Sequence, residues 1–150
     1  MMDWLLIIYT VSVAIQAGLF FVFSNTIMNV LRDYPLTEAR KVMVNINNAI
    51  QNPLFLTIFL SPFIVIMISL LLMVVQPLLF NSWIIISFAI YFLGAFMVTI
   101  FFNVPMNNRL QSNENTEYWS QYLSQWTRWN HVRTLSSITA LVIIVVLFVL

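Results

Sequence analysis

The sequence predicts an all-α fold, an integral membrane four-helix bundle, and two observations lead to that prediction. Hydrophobic residues make up 61% of the 150 residues and charged residues only 7%, against about a quarter charged in a soluble domain. Four apolar segments are each long enough to cross ~30 Å of bilayer hydrocarbon as a helix of ~20 residues. The few charges that remain cannot build a water-facing surface around such segments.

These four segments give the predicted domain organisation, a single domain with four spans. The predicted spans cover about residues 4–31, 52–75, 82–104 and 132–150. The second and third spans are expected to form a hairpin, because the sequence has no charged residue between Lys41 and Arg109. Pro77 is expected in the turn of that hairpin, since proline disrupts a helix interior.

The basic residues predict the orientation. All six lie in the 1–2 and 3–4 connections or at their edges: Arg32, Arg40, Lys41, Arg109, Arg128 and Arg133. Because cytoplasmic loops attract Lys and Arg, both termini are expected outside and these two connections in the cytoplasm. The high content of Ile and Asn is typical of an AT-rich bacterial genome, so we expect the membrane to be a bacterial cell membrane.

Both long connections are predicted to contain short cytoplasmic helices. In the 1–2 connection, "PLTEARKVMVNINNAI" offers Thr37 as an N-cap and Glu38 in the first turn. In the 3–4 connection, residues spaced by three and four positions lie on one helical face: Trp119, Tyr122, Trp126, Trp129 and Arg133. Such an aromatic stripe either lies at the membrane interface or forms the wall of a binding pocket.

Amide side chains gather at the cytoplasmic ends of all four spans. With their neighbours they are Ser24, Asn25, Asn47, Asn48, Gln51, Asn52, Asn103, Asn107, Asn108, Asn130, His131 and Arg133. A polar group in hydrocarbon turns toward other helices or toward a wet cavity. This cluster therefore either caps helix ends and ties the bundle together, or forms a binding site.

The only histidine, His131, lies in this cluster. Histidine is the side-chain type that titrates near neutral pH, so His131 is the first candidate for proton chemistry. The alternative is a hydrogen-bonded structural residue at the interface. Arg133 would supply a fixed positive charge beside it, or, together with Arg128, it marks the cytoplasmic boundary.

Four motifs follow one another along nearly the whole chain: "GLFFVFSNTIM" (18–28), "NINNAIQNPLF" (45–55), "VTIFFNVPMNNRL" (98–110) and "YWSQYLSQWTRWNHVRT" (118–134). Their order and spacing resemble the anthrone oxygenase-like family of small membrane proteins, first catalogued as a domain of unknown function. The resemblance implies a four-helix membrane protein. It also implies the activity of some fungal members, which oxidise anthrones to anthraquinones with O2 and are thought to use no metal or flavin, so no cofactor is expected.

The resemblance also implies site residues at the matching motif positions: Asn47, Asn52, Asn103, Asn107, Trp126, Trp129, Asn130, His131 and Arg133. As hypotheses for their roles, His131 removes a C–H proton as general base. Arg133, with the amide of Asn103 or Asn130, stabilises the resulting oxyanion. The substrate and O2 would occupy an apolar pocket near the cytoplasmic leaflet. The further substrate-binding candidates are Phe20, Phe23 and Asn25.

Three functions are compatible with this pattern. An oxygenase predicts a cavity that reaches His131; a binding or carrier protein for a lipophilic small molecule uses the same cavity without chemistry; a structural or accessory protein predicts no cavity. Haem with His131 as a ligand is a further alternative, whereas cysteine is absent and a dedicated metal site is not expected.

The expected partners are the lipid bilayer, a lipophilic aromatic molecule and O2. Nucleic acid is not expected, because no basic face could follow a phosphate backbone. A channel or ion-coupled transporter is also disfavoured, because no acidic residue lies within an apolar run to carry ions or protons.

Overall fold

The computed structural model describes residues 1–112 and 117–149, and these form five helices. They are α1 (Met2–Arg32), α2 (Leu36–Ala49), α3 (Pro53–Val75), α4 (Ser82–Ser112) and α5 (Glu117–Val149). Four of them, α1, α3, α4 and α5, are long and apolar enough to cross a membrane. The chain is an all-α membrane bundle, which confirms the predicted fold class.

Local capping chemistry sets the ends of the hairpin formed by α3 and α4. α3 begins after Asn52, whose side chain accepts a hydrogen bond from the backbone N–H of Phe55 (3.0 Å), with Pro53 in the first turn. α4 begins after Asn81, which accepts in the same way from the N–H of Trp83 (2.9 Å). A 3₁₀ turn, Pro77–Leu79, joins the two helices, so Pro77 lies in the turn as predicted.

The two long connections differ from each other. The 1–2 connection contains the predicted short helix, α2, but this helix begins after Pro35, so Thr37 is not its N-cap. In the 3–4 connection the helix from Glu117 is not separate: it continues into the fourth span as one helix to Val149. Neither glycine nor proline interrupts this stretch. Residue 150, the end of the predicted fourth span, lies outside the described residues.

Three wide π-type turns interrupt the regular α-helical pattern. They are Phe23–Ile27 in α1, and Phe92–Met97 and Thr99–Asn103 in α4. Pro105 follows the last of them and has no N–H to donate to the preceding turn. Such insertions re-aim side chains and are frequent at functional sites.

The bundle packs around two hydrophobic clusters. The larger cluster joins all four spanning helices and contains Met2, Met73, Ile84 and Ile144. Asn130 of α5 bonds to Ser24 near the end of α1, and Tyr9 of α1 and Ala140 of α5 both bond to Ser87. The first and last helices are therefore antiparallel, and both ends of the described chain lie at the same end of the bundle.

The second cluster lies at the opposite end, which we call the polar end because α1 ends there, α2 lies across it, α3 begins there and the amide-rich segments converge on it. In this cluster Ala39 and Met43 of α2 pack with Leu110 of α4 and with Trp119 and Tyr122 of α5. α2 therefore covers part of the polar end.

Buried polar side chains join the spans to one another in the middle of the bundle. The hydroxyl of Tyr91 donates to Oε1 of Gln16 (2.8 Å), and Nε2 of Gln16 donates to the carbonyl of Ile58 (3.0 Å), which links α4, α1 and α3. The hydroxyl of Ser87 donates to the carbonyl of Ala140 on α5 (2.8 Å). In a bilayer such groups must find partners within the protein, so these contacts help to fix the arrangement of the helices.

Candidate functional site

A cavity of about 310 Å³ lies near the polar end, between α1, α3, α4 and α5 and beside the last turn of α2. Its lining consists of Leu19, Phe20, Phe23, Asn47, Ile50, Gln51, Phe55, Leu56, Phe59, Thr99, Asn103, Val104, Asn107, Asn108, Trp126 and Arg133. This volume is at the lower end of the range of small-molecule sites, about 300–1,000 Å³. The cavity is the meeting point of the four helix ends that the amide pattern pointed to.

One wall of the cavity is aromatic and apolar. α1 contributes Phe20 and Phe23, and α3 contributes Phe55 and Phe59. The rings of Phe55 and Phe59 are stacked with centroids 5.9 Å apart, and Phe59 stacks in turn on Phe96 of α4 (5.7 Å). Flat rings in parallel arrangement suit a flat aromatic ligand.

The other wall is polar and comes from α4 and α5. The π-type turn Thr99–Asn103 places Thr99 and Asn103 in the cavity lining, and Asn107 follows one turn later. Trp126 and Arg133 face them from α5. The cavity thus has an apolar side and a hydrogen-bonding side, the usual composition of a site that orients a small molecule.

Arg133 is the centre of the polar wall, with only 6% of its surface exposed. Its Nη1 donates to the hydroxyl of Thr99 (3.2 Å), and its Nη2 donates to the side-chain oxygen of Asn130. The guanidinium carbon lies 4.3 Å from the ring centroid of Phe20 and 5.2 Å from that of Trp126. These are neutral groups, so no acidic side chain among the described residues neutralises this buried charge.

Asn130 holds this arrangement in place from behind the cavity wall, where it is fully buried. Its Nδ2 donates to the backbone carbonyl of Phe20 (2.6 Å) and to the hydroxyl of Ser24, both on α1. Its Oδ1 accepts from Arg133. One amide therefore fixes α5 against α1 and fixes the guanidinium toward the cavity.

Four buried polar atoms of cavity-lining residues have no hydrogen-bond partner within residues 1–112 and 117–149: Nε of Arg133, Nε1 of Trp126, Nδ2 of Asn47 and Oδ1 of Asn103. Three are donors and one is an acceptor. An unpaired buried polar group is destabilising, and native structures rarely retain several together without a reason. Their position in the cavity lining suits recognition of a ligand with oxygen atoms.

The structure brings most of the sequence-predicted site residues together. Those that line the cavity are Phe20, Phe23, Asn47, Asn103, Asn107, Trp126 and Arg133. Asn130 lies directly behind the lining, in contact with Arg133. Tyr122, from the same aromatic stripe, donates its hydroxyl to Oδ1 of Asn107 (2.9 Å) and so supports the wall.

The expectation of a cavity that reaches His131 is not met, because its side chain is exposed and it is not part of the lining. Successive residues of a helix are rotated by about 100°. Asn130, Arg133 and Thr134 therefore share the inner face of α5, and His131 falls on the outer face. The placement of His131 in the site is corrected accordingly.

Three further candidates also lie outside the cavity lining. Trp129 is half-buried and stacks on Phe102 with ring centroids 3.7 Å apart. Asn52 is exposed and caps α3. Asn25 is exposed on α1. The asparagines were expected either to cap helix ends or to form a binding site. Asn52 caps a helix, whereas Asn103 and Asn107 line the cavity.

Sequence reasoning missed Thr99, Phe55 and Phe59 as site residues. Thr99 precedes the predicted Asn103 by four positions, so a search for partners one helical turn away could have found it. Phe55 is the last residue of the motif at 45–55, and Phe59 lies one turn after it. Their inward orientation depends on the π-type turns and on the packing of α3, which the sequence pattern does not reveal.

The fold and the cavity define a class, small all-α membrane proteins with an internal aromatic cavity at one end of a four-helix bundle. The sequence profile of the family described as anthrone oxygenase matches residues 55–143. This match covers more than half of the chain, and the chain belongs to the anthrone oxygenase family, as the four motifs indicated. No curated protein and no solved structure matches the chain.

Proposed function

We propose that this protein oxidises a lipophilic phenolic or polycyclic compound with O2 in the cavity, with the oxygen anion of the substrate held by Arg133. The observation that carries the proposal is the buried guanidinium of Arg133, which faces an aromatic-lined cavity and is bonded only to neutral groups. A buried charge without a counter-ion is costly. A bound oxyanion would supply the missing negative charge.

The chemistry follows from the substrate class that the family name implies. In an anthrone, loss of a proton from the CH2 carbon gives an aromatic oxyanion, which Arg133 stabilises through charge and hydrogen bonding. This electron-rich anion passes one electron to O2, and the substrate radical and superoxide combine at the same carbon to form a peroxide anion, which takes up a proton in place of the one lost in the first step. The resulting hydroperoxide loses water with the remaining hydrogen of that carbon, which becomes C=O, so one oxygen atom enters the product and the other leaves as water.

The proton does not need His131 in this scheme. The described lining residues include no carboxylate and no histidine, and His131 lies on the outer face of α5. Arg133 makes the substrate more acidic by stabilising its anion, and water at the exposed, polar part of the lining, near Gln51 and Asn108, accepts the proton. The proposed catalytic group is therefore Arg133, and Asn103 and Trp126 orient the substrate oxygen atoms.

A second function, binding of a lipophilic anion without turnover, is favoured by the same lack of an ordinary base among the described lining residues. A purely structural role is less well supported, because it predicted no cavity.

We also propose that the polar end faces the cytoplasm of a bacterial cell; the distribution of basic residues supports this. Cysteine-accessibility labelling at position 81 and at position 40 in intact cells would test the orientation.

The test of the proposed reaction is anthrone consumption and O2 uptake by purified protein in detergent. The assay compares the wild-type protein with Arg133→Gln and with Arg128→Gln, a control at an exposed arginine. A protein-free sample gives the background rate, because anthrones oxidise on their own. We expect turnover above background in the wild type and in Arg128→Gln, and background rates in Arg133→Gln. If anthrone binds in a way that depends on Arg133 but is not turned over, the result favours the binding function. If the protein shows no binding and no turnover, both proposed functions are excluded.

A further inference from the structure

The cavity has an opening between α3 and α4. Four of its lining residues are exposed, Gln51, Leu56, Val104 and Asn108, whereas the residues of the deep walls, such as Phe20 and Trp126, are buried. Leu56 belongs to the first turn of α3, and Val104 lies at the facing part of α4. Exposed lining residues mark the place where a cavity reaches the surface.

The level of this opening relative to the bilayer follows from the exposed apolar surface of the two helices. On α3 this surface extends from Leu54 to Val75, and on α4 from Trp83 to Val104. Each stretch is about 22 residues, or ~33 Å at 1.5 Å per residue, which matches the ~30 Å hydrocarbon layer. Both apolar surfaces end at the level of the opening.

The rim of the opening therefore has an apolar part and a polar part. Leu56 and Val104 form its apolar part, just inside the hydrocarbon boundary, and Gln51 and Asn108 form its polar part, just outside it. Deeper in the bundle the seam between α3 and α4 is closed by stacked rings, with Phe63 and Phe96 only 5.0 Å apart and nearly parallel. A ligand can therefore pass between these helices only near the level where acyl chains meet headgroups.

We propose that the ligand of this cavity enters sideways from the membrane, between Leu56 and Val104, and not from the aqueous phase. The proposal rests on the cavity being the binding site argued above. It identifies the ligand as an amphipathic molecule that partitions into the bilayer with its polar atoms at the headgroup level. On moving sideways such a molecule would pass its rings over Phe55 and bring its oxygen atoms toward Arg133.

The test measures association and dissociation rates of a stable fluorescent tricyclic anion, anthracene-9-carboxylate, by stopped-flow anisotropy with the protein in phosphatidylcholine nanodiscs. Leu56→Trp and Val104→Trp narrow the apolar part of the rim, and Gln51→Trp and Asn108→Trp narrow the polar part. Leu60→Trp is the matched control, since Leu60 lies one turn further along α3, is similarly exposed and does not line the cavity.

We expect Leu56→Trp and Val104→Trp to slow association and dissociation together by about tenfold, with an unchanged Kd, because the rim controls passage and not the bound state. The control and the two polar-rim variants should keep wild-type rates. Slowing confined to Gln51→Trp and Asn108→Trp would overturn the proposal in favour of access from water. If the ligand binds normally and the Leu56 and Val104 variants keep wild-type rates, entry from the membrane is overturned and the proposed cavity function is kept. Absence of binding in the wild type would remove the proposed cavity function and this inference with it.

Discussion

Arg133 donates a hydrogen bond to the side-chain oxygen of Asn130, which lies one turn earlier on α5, while the side-chain nitrogen of Asn130 binds α1. The pair lies on the inner face of a helix whose outer face meets lipid or solvent. Because the oxygen of Asn130 is neutral, this contact orients the guanidinium without cancelling its charge. The charge stays available to a ligand in the cavity.

Replacement of Arg133 by methionine should separate function from stability. Methionine is apolar and shorter, so it removes a buried charge that has no counter-ion and is costly to bury, but it leaves Oδ1 of Asn130 without its donor, which costs about 1–3 kcal/mol. Because these two effects oppose each other, thermal unfolding in detergent should occur close to the wild-type temperature. Affinity for anthracene-9-carboxylate should fall by roughly tenfold or more, since a hydrogen bond to a charged group contributes about 1.5–3 kcal/mol.

Arg128→Met is the control for this prediction, because Arg128 lies on the same helix with its side chain exposed. It should keep both wild-type affinity and wild-type stability. A large loss of stability in Arg133→Met would show that the guanidinium serves mainly to hold the bundle together, and the ligand role would then lose its support.

Replacement by alanine should lower stability and anthrone turnover at Asn130 and should leave both nearly unchanged at its neighbour His131. Asn130→Ala removes the acceptor for Arg133 and the bonds to Phe20 and Ser24. Unsatisfied buried groups then lower the free energy of unfolding by about 1–3 kcal/mol. His131→Ala changes an exposed side chain and should stay within about 0.5 kcal/mol of the wild type. Anthrone turnover should persist in His131→Ala and fall in Asn130→Ala; the reverse pattern would restore His131 as the base.

The sequence was sufficient to predict the fold because the controlling signal is strong and local. Four apolar runs of membrane length require four helices, since a backbone in hydrocarbon must satisfy its own hydrogen bonds. Pro77 correctly indicated the turn between α3 and α4. The fusion of the 3–4 connecting helix with α5 was less apparent, because the change from polar to apolar residues near position 132 suggested a boundary where the backbone has none.

The site was predictable in its location but not in its side-chain orientations. The amide-rich helix ends located the polar end, and Asn103, Trp126 and Arg133 do line the cavity. His131 was misplaced because its chemistry, and not its position on the face of α5, drew attention to it. Thr99 was missed because its inward orientation depends on a π-type turn, which hydrophobic periodicity at 3.6 residues per turn does not detect.

Trp126→Phe should weaken ligand binding without weakening the fold. The substitution keeps an aromatic ring beside Phe23, whose centroid lies 5.7 Å away, and removes the unpaired Nε1–H. Removal of a buried donor without a partner favours the folded state, whereas the smaller ring loses packing contacts, so the free energy of unfolding should stay within about 1 kcal/mol of the wild type. If a ligand oxygen uses this donor, Kd rises by about three- to tenfold. Trp129→Phe, outside the cavity, is the matched control, and an equal Kd in all three proteins would remove Trp126 from the recognition set.

The two glycines of the chain should respond differently to substitution by alanine. A Cβ added at Gly94 of α4 would overlap the side chain of Ser136 on α5, 2.5 Å from its Cβ, whereas a Cβ at Gly18 meets no heavy atom of the described residues within 4 Å. Close approach of spanning helices at small residues is a main source of their association. Gly94→Ala should therefore lower the free energy of unfolding by about 1–3 kcal/mol.

Gly18→Ala should be neutral or stabilising by up to about 1 kcal/mol, because alanine favours a helix more than glycine does. Unfolding in mixed detergent micelles measures both changes. Adding Ser136→Gly to Gly94→Ala removes the overlapping atoms and should recover much of the lost stability, less the helix propensity lost at position 136. If the double variant is no more stable than Gly94→Ala, the loss arises within α4 itself, at the π-type turn Phe92–Met97, and not from the contact between α4 and α5.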